Sequence, residues 1–187
     1  MVAFDQALAS FTTAEPVSIL ASTLNQVAAA ELLGLESGQV VGEPVLASCG
    51  LPYHLIELDS LEALERARPA PSAWAQWVSP SGHEQIYLYV AGDESVDNEV
   101  LRTRMFSTTG GVREDPATGS NAAALAGKLA ASKEEGELWR WRIEQGIEIG
   151  HPSRIFAEAE RNGQHLTIRI AGEAVIVGTG SLWLSEL

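Results

Sequence analysis

The 187-residue sequence has a single cysteine, Cys49, and few basic residues, 12 against 25 acidic ones. One cysteine cannot form an intrachain disulfide, and it excludes zinc sites built on paired cysteines. The formal net charge of −13 repels nucleic-acid phosphates and anionic membrane surfaces. We therefore expect no nucleic-acid partner and no membrane partner, and the cysteine usage favours a reducing, cytoplasmic location.

Long apolar runs and metal-ligand patterns are also missing. No segment approaches the roughly 20 apolar residues that span a bilayer, and residues 1–11 lack the basic segment of a secretory signal. The histidines are His54, His83, His151 and His165. None is separated from another by three or four residues, so we predict no metal site. Because 45% of the residues are hydrophobic, the chain can still bury a core.

Helix and strand signals alternate in the N-terminal part. Capping-box spacing at Thr23, followed by apolar residues at helical period, predicts a helix that ends at Gly34. Residues 40–58 mix short apolar runs with turn residues and predict two strands. Residues 59–68 predict a second short helix, capped at its start and stopped by Pro69.

The stretch 69–82 is rich in Pro, Ser and Gly and is the best candidate for a boundary. We divide the chain there into residues 1–80, with strands and two short helices, and residues 81–187. Toward the C-terminus the apolar period changes from 3.6 to 2, which predicts half-buried strands in an antiparallel meander. The predicted strands of this part are GHEQIYLYVAGD, LWRWRIEQ, RIFAEAE, HLTIRIAG, EAVIVGTG and SLWL, in chain order.

The segment REDPATGSNAAALAGKLAAS holds an acidic pair, a proline, turn residues and an alanine-rich run in direct succession. Pro116 disfavours helix at Asp115, and Ser120 or Asn121 can cap a helix that runs to about Ala131. The first N–H groups of a helix lack intrahelical partners and carry a partial positive charge. The carboxylate or phosphate of a small ligand could therefore bind there without a basic side chain.

The alanine-rich helix is apolar on nearly every side, which predicts that a sheet encloses it. In such a place desolvation could raise the pKa of Asp115, whereas the backbone amides could lower it. Either outcome suits proton transfer to or from a carbon acid. The alternative interpretation is that Asp115 and Ser120 only cap the helix.

The string EDPATGSNAAALAGKL, residues 114–129, resembles the signature of the PhzF-like family of phenazine biosynthesis proteins, which are relatives of diaminopimelate epimerase. Three further features agree with the family in order. They are RMF at residues 104–106, QGIEIGHPS at residues 145–153, and the ending AGEAVIVGTGSLWL. The resemblance extends over residues 20–187 and is strongest in the second half.

The resemblance implies an α+β fold of the diaminopimelate epimerase type, in which a curled, barrel-like mixed sheet wraps around a central alanine-rich helix and two such halves form a cleft. It implies an isomerase or epimerase without metal or cofactor that moves a proton on a small carboxylated metabolite. By position it implies catalytic roles for Asp115 and Ser120. The substrate-binding residues it implies are Thr118, Gly119, Asn121, Gly150 and Ser153.

The sequence departs from the family in length and at one residue of the signature turns. It begins about where the first half of a family member would be ending, so that half's acidic proton-transfer residue and the histidine of its Cys-Gly-His motif have no counterpart. Cys49-Gly50 falls in the wrong place and has no adjacent histidine, and His151 replaces the usual arginine. We therefore expect a homodimer or a second chain to complete the cleft. The alternative is a non-catalytic metabolite-binding or interaction module, or a truncated remnant of such an enzyme.

Overall fold

The computed structural model describes residues 2–5, 8–91, 99–108, 113–133, 136–163 and 165–181. Within these ranges the chain forms one mixed sheet of eleven strands together with four α-helices. The strands are β1 Val2–Asp5, β2 Leu8–Thr12, β3 Ser18–Ala21, β4 Val45–Ser48, β5 Pro52–Glu57, β6 Gln85–Val90, β7 Glu99–Ser107, β8 Arg113–Asp115, β9 Leu138–Gln145, β10 Ser153–Asn162 and β11 His165–Glu173. The helices are α1 Gln26–Leu33, α2 Leu61–Arg66, α3 Pro71–Ala73 and α4 Gly119–Ala130. A π-helical turn, Trp74–Val78, and a 3₁₀ turn, Ser79–Ser81, continue α3, and another 3₁₀ turn spans Ser37–Gln39.

The strand order is β1-β2-β11-β10-β9-β7-β6-β5-β4-β3, and β8 pairs with β7 beside this path. The β5–β6 and β7–β9 pairs are parallel, and the other pairs are antiparallel. Parallel neighbours need a long crossover connection. The first crossover contains α2 and α3, and the second contains α4. The predicted antiparallel meander is confirmed for β9, β10 and β11.

Helix α4 lies inside the curled sheet. Nine of its twelve residues are buried, and it contacts β4 and β5 on one side as well as β10 and β11 on the other. The closest packing is at Gly127, where an added Cβ would lie 2.6 Å from Cγ2 of Val17. The expected α+β fold, a curled sheet around an alanine-rich helix, is therefore confirmed.

A second apolar layer covers the outer face of β5 and β6. Strand alternation sends Tyr53 inward toward α4 and Ile56 outward, where it packs with α1 and α2. The Pro-rich stretch 69–82 folds as helical turns, and its Trp74 and Val78 are buried in this outer layer. The division of the chain at residue 80 stays a prediction. None of the helices in the described ranges is long and apolar enough to cross a membrane.

The predicted end of α1 at Gly34 is confirmed, but the N-cap is not the predicted residue. Helix α1 ends at Gly34, which has a φ of 67°, and its N-cap is Asn25 instead of Thr23. The Asn25 side chain accepts a hydrogen bond from the N–H of Ala28. At α2 the cap is Ser60. Sequence spacing alone does not distinguish neighbouring polar residues as caps, because the path of the chain before the helix decides which side chain reaches back.

The strand predicted for EAVIVGTG is wrong. Strand β11 ends at Glu173, which pairs with Leu8 at the start of β2, and residues 174–181 form no strand. A single extended segment leaves its backbone N–H and C=O groups without ladder partners, so a β-prone sequence becomes a strand only beside another strand. The last predicted strand, SLWL, falls on residues 181–184 and lies outside the described residues after Ser181.

Candidate active site

A buried ion pair fixes the strand that carries Asp115. The Arg104 guanidinium donates two hydrogen bonds to the Glu114 carboxylate, at 2.9 and 2.7 Å, and further hydrogen bonds to the carbonyls of Leu64 and Ala67. Both charged side chains are at least nine-tenths buried. Glu114 thus faces the outer layer, and because neighbouring residues of a strand point to opposite faces, Asp115 faces the inner core. In agreement, Asp115 pairs with Met105, which belongs to that core.

Two side chains hold Asp115 in place. The Thr118 hydroxyl donates a hydrogen bond to Oδ2 of Asp115. The Gln145 side-chain amide, at the end of β9, donates to the Asp115 carbonyl oxygen at 2.7 Å and approaches the Thr118 hydroxyl at 3.4 Å. Gln145 is fully buried. In the described part of the chain, Oδ1 of Asp115 has no hydrogen-bond partner, so it is the oxygen left for a ligand.

The N-terminus of α4 is open. Thr118 occupies the N-cap position, but its side chain caps nothing, because its hydroxyl is directed to Asp115. By contrast, the N-cap side chains of α1 and α2 each accept a backbone N–H of their helix. Across the described ranges, no partner engages the N–H groups of Gly119, Ser120 and Asn121. Gly119 is half-buried and Ser120 is exposed, so their N–H groups, together with the helix dipole, are available to an anion.

Ser120 and Asn121 lie within the first turn of α4, so the interpretation that they cap the helix is wrong. The physical reason is that Thr118 already has the extended backbone of an N-cap, which starts the helix at Gly119. Ser120 Oγ lies 2.6 Å from the hydroxyl oxygen of Tyr53. The Asn121 side chain is fully buried, and its amide atoms have no partner within the described chain.

The turn after β9 packs against the loop that follows Asp115. Gly146 has a φ of 78°, and a Cβ there would lie 2.4 Å from the His151 carbonyl oxygen and 2.8 Å from that of Pro116. Ser153 begins β10 opposite Gln145, next to the side chain that holds Asp115. Gly150 lies in the exposed part of this turn. The structure therefore groups Asp115, Thr118, Gly119, Ser120 and Asn121 at the helix end, with Ser153 beside them and Gly150 farther out on the turn.

Cys49 and His54 do not form a pair. Cys49 packs against the inner core and lies 3.6 Å from the Ala123 carbonyl oxygen of α4. His54 faces the outer layer, where Nδ1 lies 2.7 Å from the Ser22 hydroxyl and Nε2 lies 3.2 Å from that of Ser81. Burial raises the pKa of the Cys49 thiol to about 11. The thiol is therefore protonated at neutral pH and is a poor nucleophile.

The rest of the described chain offers other surfaces but no comparable grouping. Among the described residues, no three His, Cys, Asp or Glu side chains come together to hold a metal ion. A groove of about 730 Å³ lies on the outer face and is lined by Trp74, Arg104, Phe106 and Glu114, among others. Its buried charges are all paired: Arg104 with Glu114, and Glu148 with Arg102. This groove is on the opposite side of β8 from Asp115.

Two residues of the site, Tyr53 and Gln145, were not predicted from the sequence. Tyr53 lies in the segment 40–58 that was predicted as strands, but its partner Ser120 is 67 residues away in the chain. Gln145 stands at the start of the QGIEIGHPS string, and the period of two in LWRWRIEQ, which puts it on the same face as Trp141 and Ile143, was the available signal. Only the strand order brings either residue to the helix end.

Comparisons with known proteins show the family of this chain. The sequence profile of the family described as phenazine biosynthesis-like protein (PhzC-PhzF) matches residues 8–180. The chain is 39% identical over 145 residues to an uncharacterized isomerase of Mesorhizobium japonicum, and 44% identical over 135 residues to trans-2,3-dihydro-3-hydroxyanthranilate isomerase of Pseudomonas fluorescens. These alignments cover 73% and 71% of this chain but 47% and 45% of the relatives. The chain thus spans about half the length of the curated relatives it matches.

Two solved structures have the same fold. A Bacillus anthracis phenazine biosynthesis protein of the PhzF family matches with a TM-score of 0.77 and 19% identity, over 92% of this chain and 60% of that chain. A predicted epimerase of Pseudomonas aeruginosa matches with a TM-score of 0.67 and 23% identity, over 95% of this chain and 62% of that chain. These likenesses confirm the fold that the sequence predicted.

Proposed function

Because this chain belongs to the phenazine biosynthesis-like protein family, we propose that it forms part of an isomerase that moves a proton on a small carboxylated metabolite. We propose that this isomerase needs no metal and no organic cofactor. The single cysteine and the net charge of −13 support a cytoplasmic location and a metabolite partner instead of nucleic acid.

The observation that carries the proposal is the open N-terminus of α4 beside an oriented carboxylate. The Thr118 side chain hydrogen-bonds to Asp115 instead of capping α4. Three backbone N–H groups of the helix are therefore left without a partner in the described chain. Such a helix end binds a carboxylate or phosphate. An acidic protein gains an anion site in this way without a basic side chain near the reacting carbon.

In the proposed reaction the helix end holds the substrate carboxylate and Asp115 moves the proton. The N–H groups of Gly119, Ser120 and Asn121 donate to the carboxylate, and Ser120 adds its hydroxyl. Asp115 takes a proton from one carbon of the substrate, exchanges it with solvent and donates a proton to another carbon. The substrate therefore loses one proton and gains one, with no net oxidation or reduction. Thr118 holds the Asp115 carboxylate, and Gln145 holds the Asp115 backbone carbonyl. This positioning matters because a general base must lie within hydrogen-bond reach of the proton it takes.

The substrate class follows from the anion site and from a named relative. The Pseudomonas fluorescens relative is a trans-2,3-dihydro-3-hydroxyanthranilate isomerase, and it is 44% identical to this chain over 135 residues. That compound is a small ring with a carboxylate, as the helix end requires. We therefore propose it, or a close analogue, as the first compound to test.

We also propose that a second copy or another chain completes the cleft. The chain spans 45–47% of its relatives' length. Val175, Ile176 and Val177 follow β11 and are 84%, 78% and 94% exposed. Burying apolar surface stabilises an assembly by about 25 cal/mol per Å², so a run of three exposed β-branched residues favours association.

The test is deuterium incorporation from D₂O into trans-2,3-dihydro-3-hydroxyanthranilate, followed by mass spectrometry on protein whose native mass shows a dimer or a complex. Wild type is expected to catalyse exchange. Asp115→Asn should lower the rate at least about 100-fold, because positioned acid–base groups contribute about 10²–10⁴. Glu62→Gln is the matched control, since this carboxylate is 78% exposed and far from α4 in the outer layer. Exchange that survives Asp115→Asn would contradict the proposal.

The chain matches only about half the length of its relatives. The alternative function is therefore a metabolite-binding or interaction module without turnover. The same preparation distinguishes the two functions. A carboxylate that binds equally well to wild type and to Asp115→Asn, with no exchange in any assembled state, would support the binding module and refute the isomerase.

A further inference from the structure

Strand β5 places a tyrosine hydroxyl against the first turn of α4. Tyr53 is 1% exposed and belongs to the inner core. Its hydroxyl oxygen lies 2.6 Å from Ser120 Oγ. The contact joins the start of β5 to the first turn of α4. The two residues meet because the sheet encloses α4.

We propose that Tyr53 is a positioning residue, which directs the hydroxyl hydrogen of Ser120 toward the bound carboxylate. The inference rests on the proposed function of the same helix end, and it adds a residue to which neither the family motif nor the relatives' names assign a role. Tyr53 does not touch the substrate in this proposal. It acts through Ser120.

The chemistry of the two hydroxyls sets the direction of the hydrogen bond. A phenol has a pKa near 10 and is a better donor than an aliphatic alcohol. Tyr53 therefore donates to Ser120, and the Ser120 hydrogen is left for another acceptor. Within the described chain, Ser120 Oγ has no hydrogen-bond partner besides Tyr53. Without the tyrosine, the serine hydroxyl could turn back to a backbone carbonyl, as serines in helices often do.

The tyrosine stays protonated, so its direction of donation is permanent. Burial raises the pKa of Tyr53 above its usual value, the hydrogen bond to Ser120 offsets part of this rise, and the charge of Asp115 adds to it. A neutral donor is the group that suits this position, because it lies near the Asp115 carboxylate and a second carboxylate is to be bound. Two negative charges at close range repel each other, and oriented donors between them lower that cost.

The test compares Tyr53→Phe with Tyr87→Phe. Tyr87 is also fully buried on the inner face, but its hydroxyl donates to Thr103 at 3.0 Å instead of to the helix end. The probe is anthranilate, titrated against the backbone amide signals of Gly119–Asn121 in the assembled protein. Tyr53→Phe and Ser120→Ala should each weaken binding about tenfold, the range for one hydrogen bond to a charged group, and the double variant should lose no more than either single one. Tyr87→Phe should bind like wild type.

Turnover kinetics distinguish the positioning role of Tyr53 from a purely structural one. In turnover, Tyr53→Phe should raise KM while kcat changes little, because the contact holds the carboxylate equally in the ground state and in the transition state. Tyr53→Phe binding as tight as wild type would overturn the inference and leave the proposed function intact. So would losses that multiply in the double variant. If wild type binds no anthranilate and catalyses no exchange, the proposed function itself fails, and the inference fails with it.

Discussion

The fold contains a buried histidine that should make the protein sensitive to mild acid. His54 is fully buried in the outer layer between the hydroxyls of Ser22 and Ser81. Burial lowers its pKa from 6.5 to about 4, against a smaller rise from the His83 backbone. The folded protein therefore holds His54 neutral at pH values where the unfolded chain would protonate it.

The sign and size of the effect follow from this difference. Between pH 6.5 and 4 the unfolded state binds more protons at this site than the folded state, so stability falls as the pH falls through that window. Above pH 6.5 the contribution is constant. A difference of about 2.5 pKa units at 1.36 kcal/mol each gives about 3 kcal/mol lost by pH 4, a large part of the 5–15 kcal/mol typical of a folded domain.

Denaturant unfolding at several pH values tests this prediction. Carboxylates also lose stabilising contacts in acid, so the informative quantity is the difference between wild type and His54→Asn, which cannot titrate in this range. The difference should shrink by about 3 kcal/mol from pH 7 to pH 4. His165→Asn, at an exposed position, is the control and should follow wild type. If the His54→Asn curve stays parallel to that of wild type, or if the His54 ring titrates near pH 6.5 by NMR, the reasoning about burial is refuted.

Three further predictions concern packing, charge and reactivity. Gly127→Ala should destabilise the protein by about 1–3 kcal/mol, because the clash of a methyl group 2.6 Å from a neighbouring carbon outweighs the roughly 1 kcal/mol that alanine gains in a helix. Gly38→Ala is the control, since there is open space around Gly38. A raised Tm for Gly127→Ala would contradict the close packing of α4. Glu114→Gln should cost about 3–5 kcal/mol in denaturant unfolding, because it leaves the buried Arg104 charge without its carboxylate, and a cost below about 1 kcal/mol would show that the pair is not buried in solution. Cys49 should react with thiol reagents at pH 7 much more slowly than a free cysteine, because burial raises its pKa to about 11, and a rate equal to that of free cysteine would contradict its placement in the core.

Local sequence patterns predicted α1, α2, α4, β4 to β6 and β9 to β11, but not β1 to β3, β7 or β8. Long-range contacts decided the site. The start of α4 near Ser120 and the strands β9 to β11 are visible in the periodicity, because one face of each packs against a single core. The capping assignment of Ser120 failed because the extended backbone of Thr118 starts the helix at Gly119, one residue before Ser120. Tyr53 contacts Ser120 across 67 residues of the chain, and no local pattern contains such a contact.

The segment 174–181 shows a second limit of local patterns. Its β-branched residues have high strand propensity, but propensity reflects packing on a sheet that must be supplied by neighbouring strands. In the described chain those residues remain unpaired and exposed. A partner for the cleft would change their environment, and their hydrogen exchange on assembly is therefore a useful reporter of the surface involved.

The measurement that tests the central claim most directly is the response of the α4 amides to a carboxylate. Isotope-labelled protein is titrated with anthranilate while the backbone N–H signals of Gly119, Ser120 and Asn121 are followed. The open helix end predicts saturable shifts at these three amides, and none at Ala28 of α1, whose N–H is already capped by Asn25. Unchanged signals at all three α4 amides, or equal shifts at both helix starts, would contradict the carboxylate site on which the proposed isomerase depends.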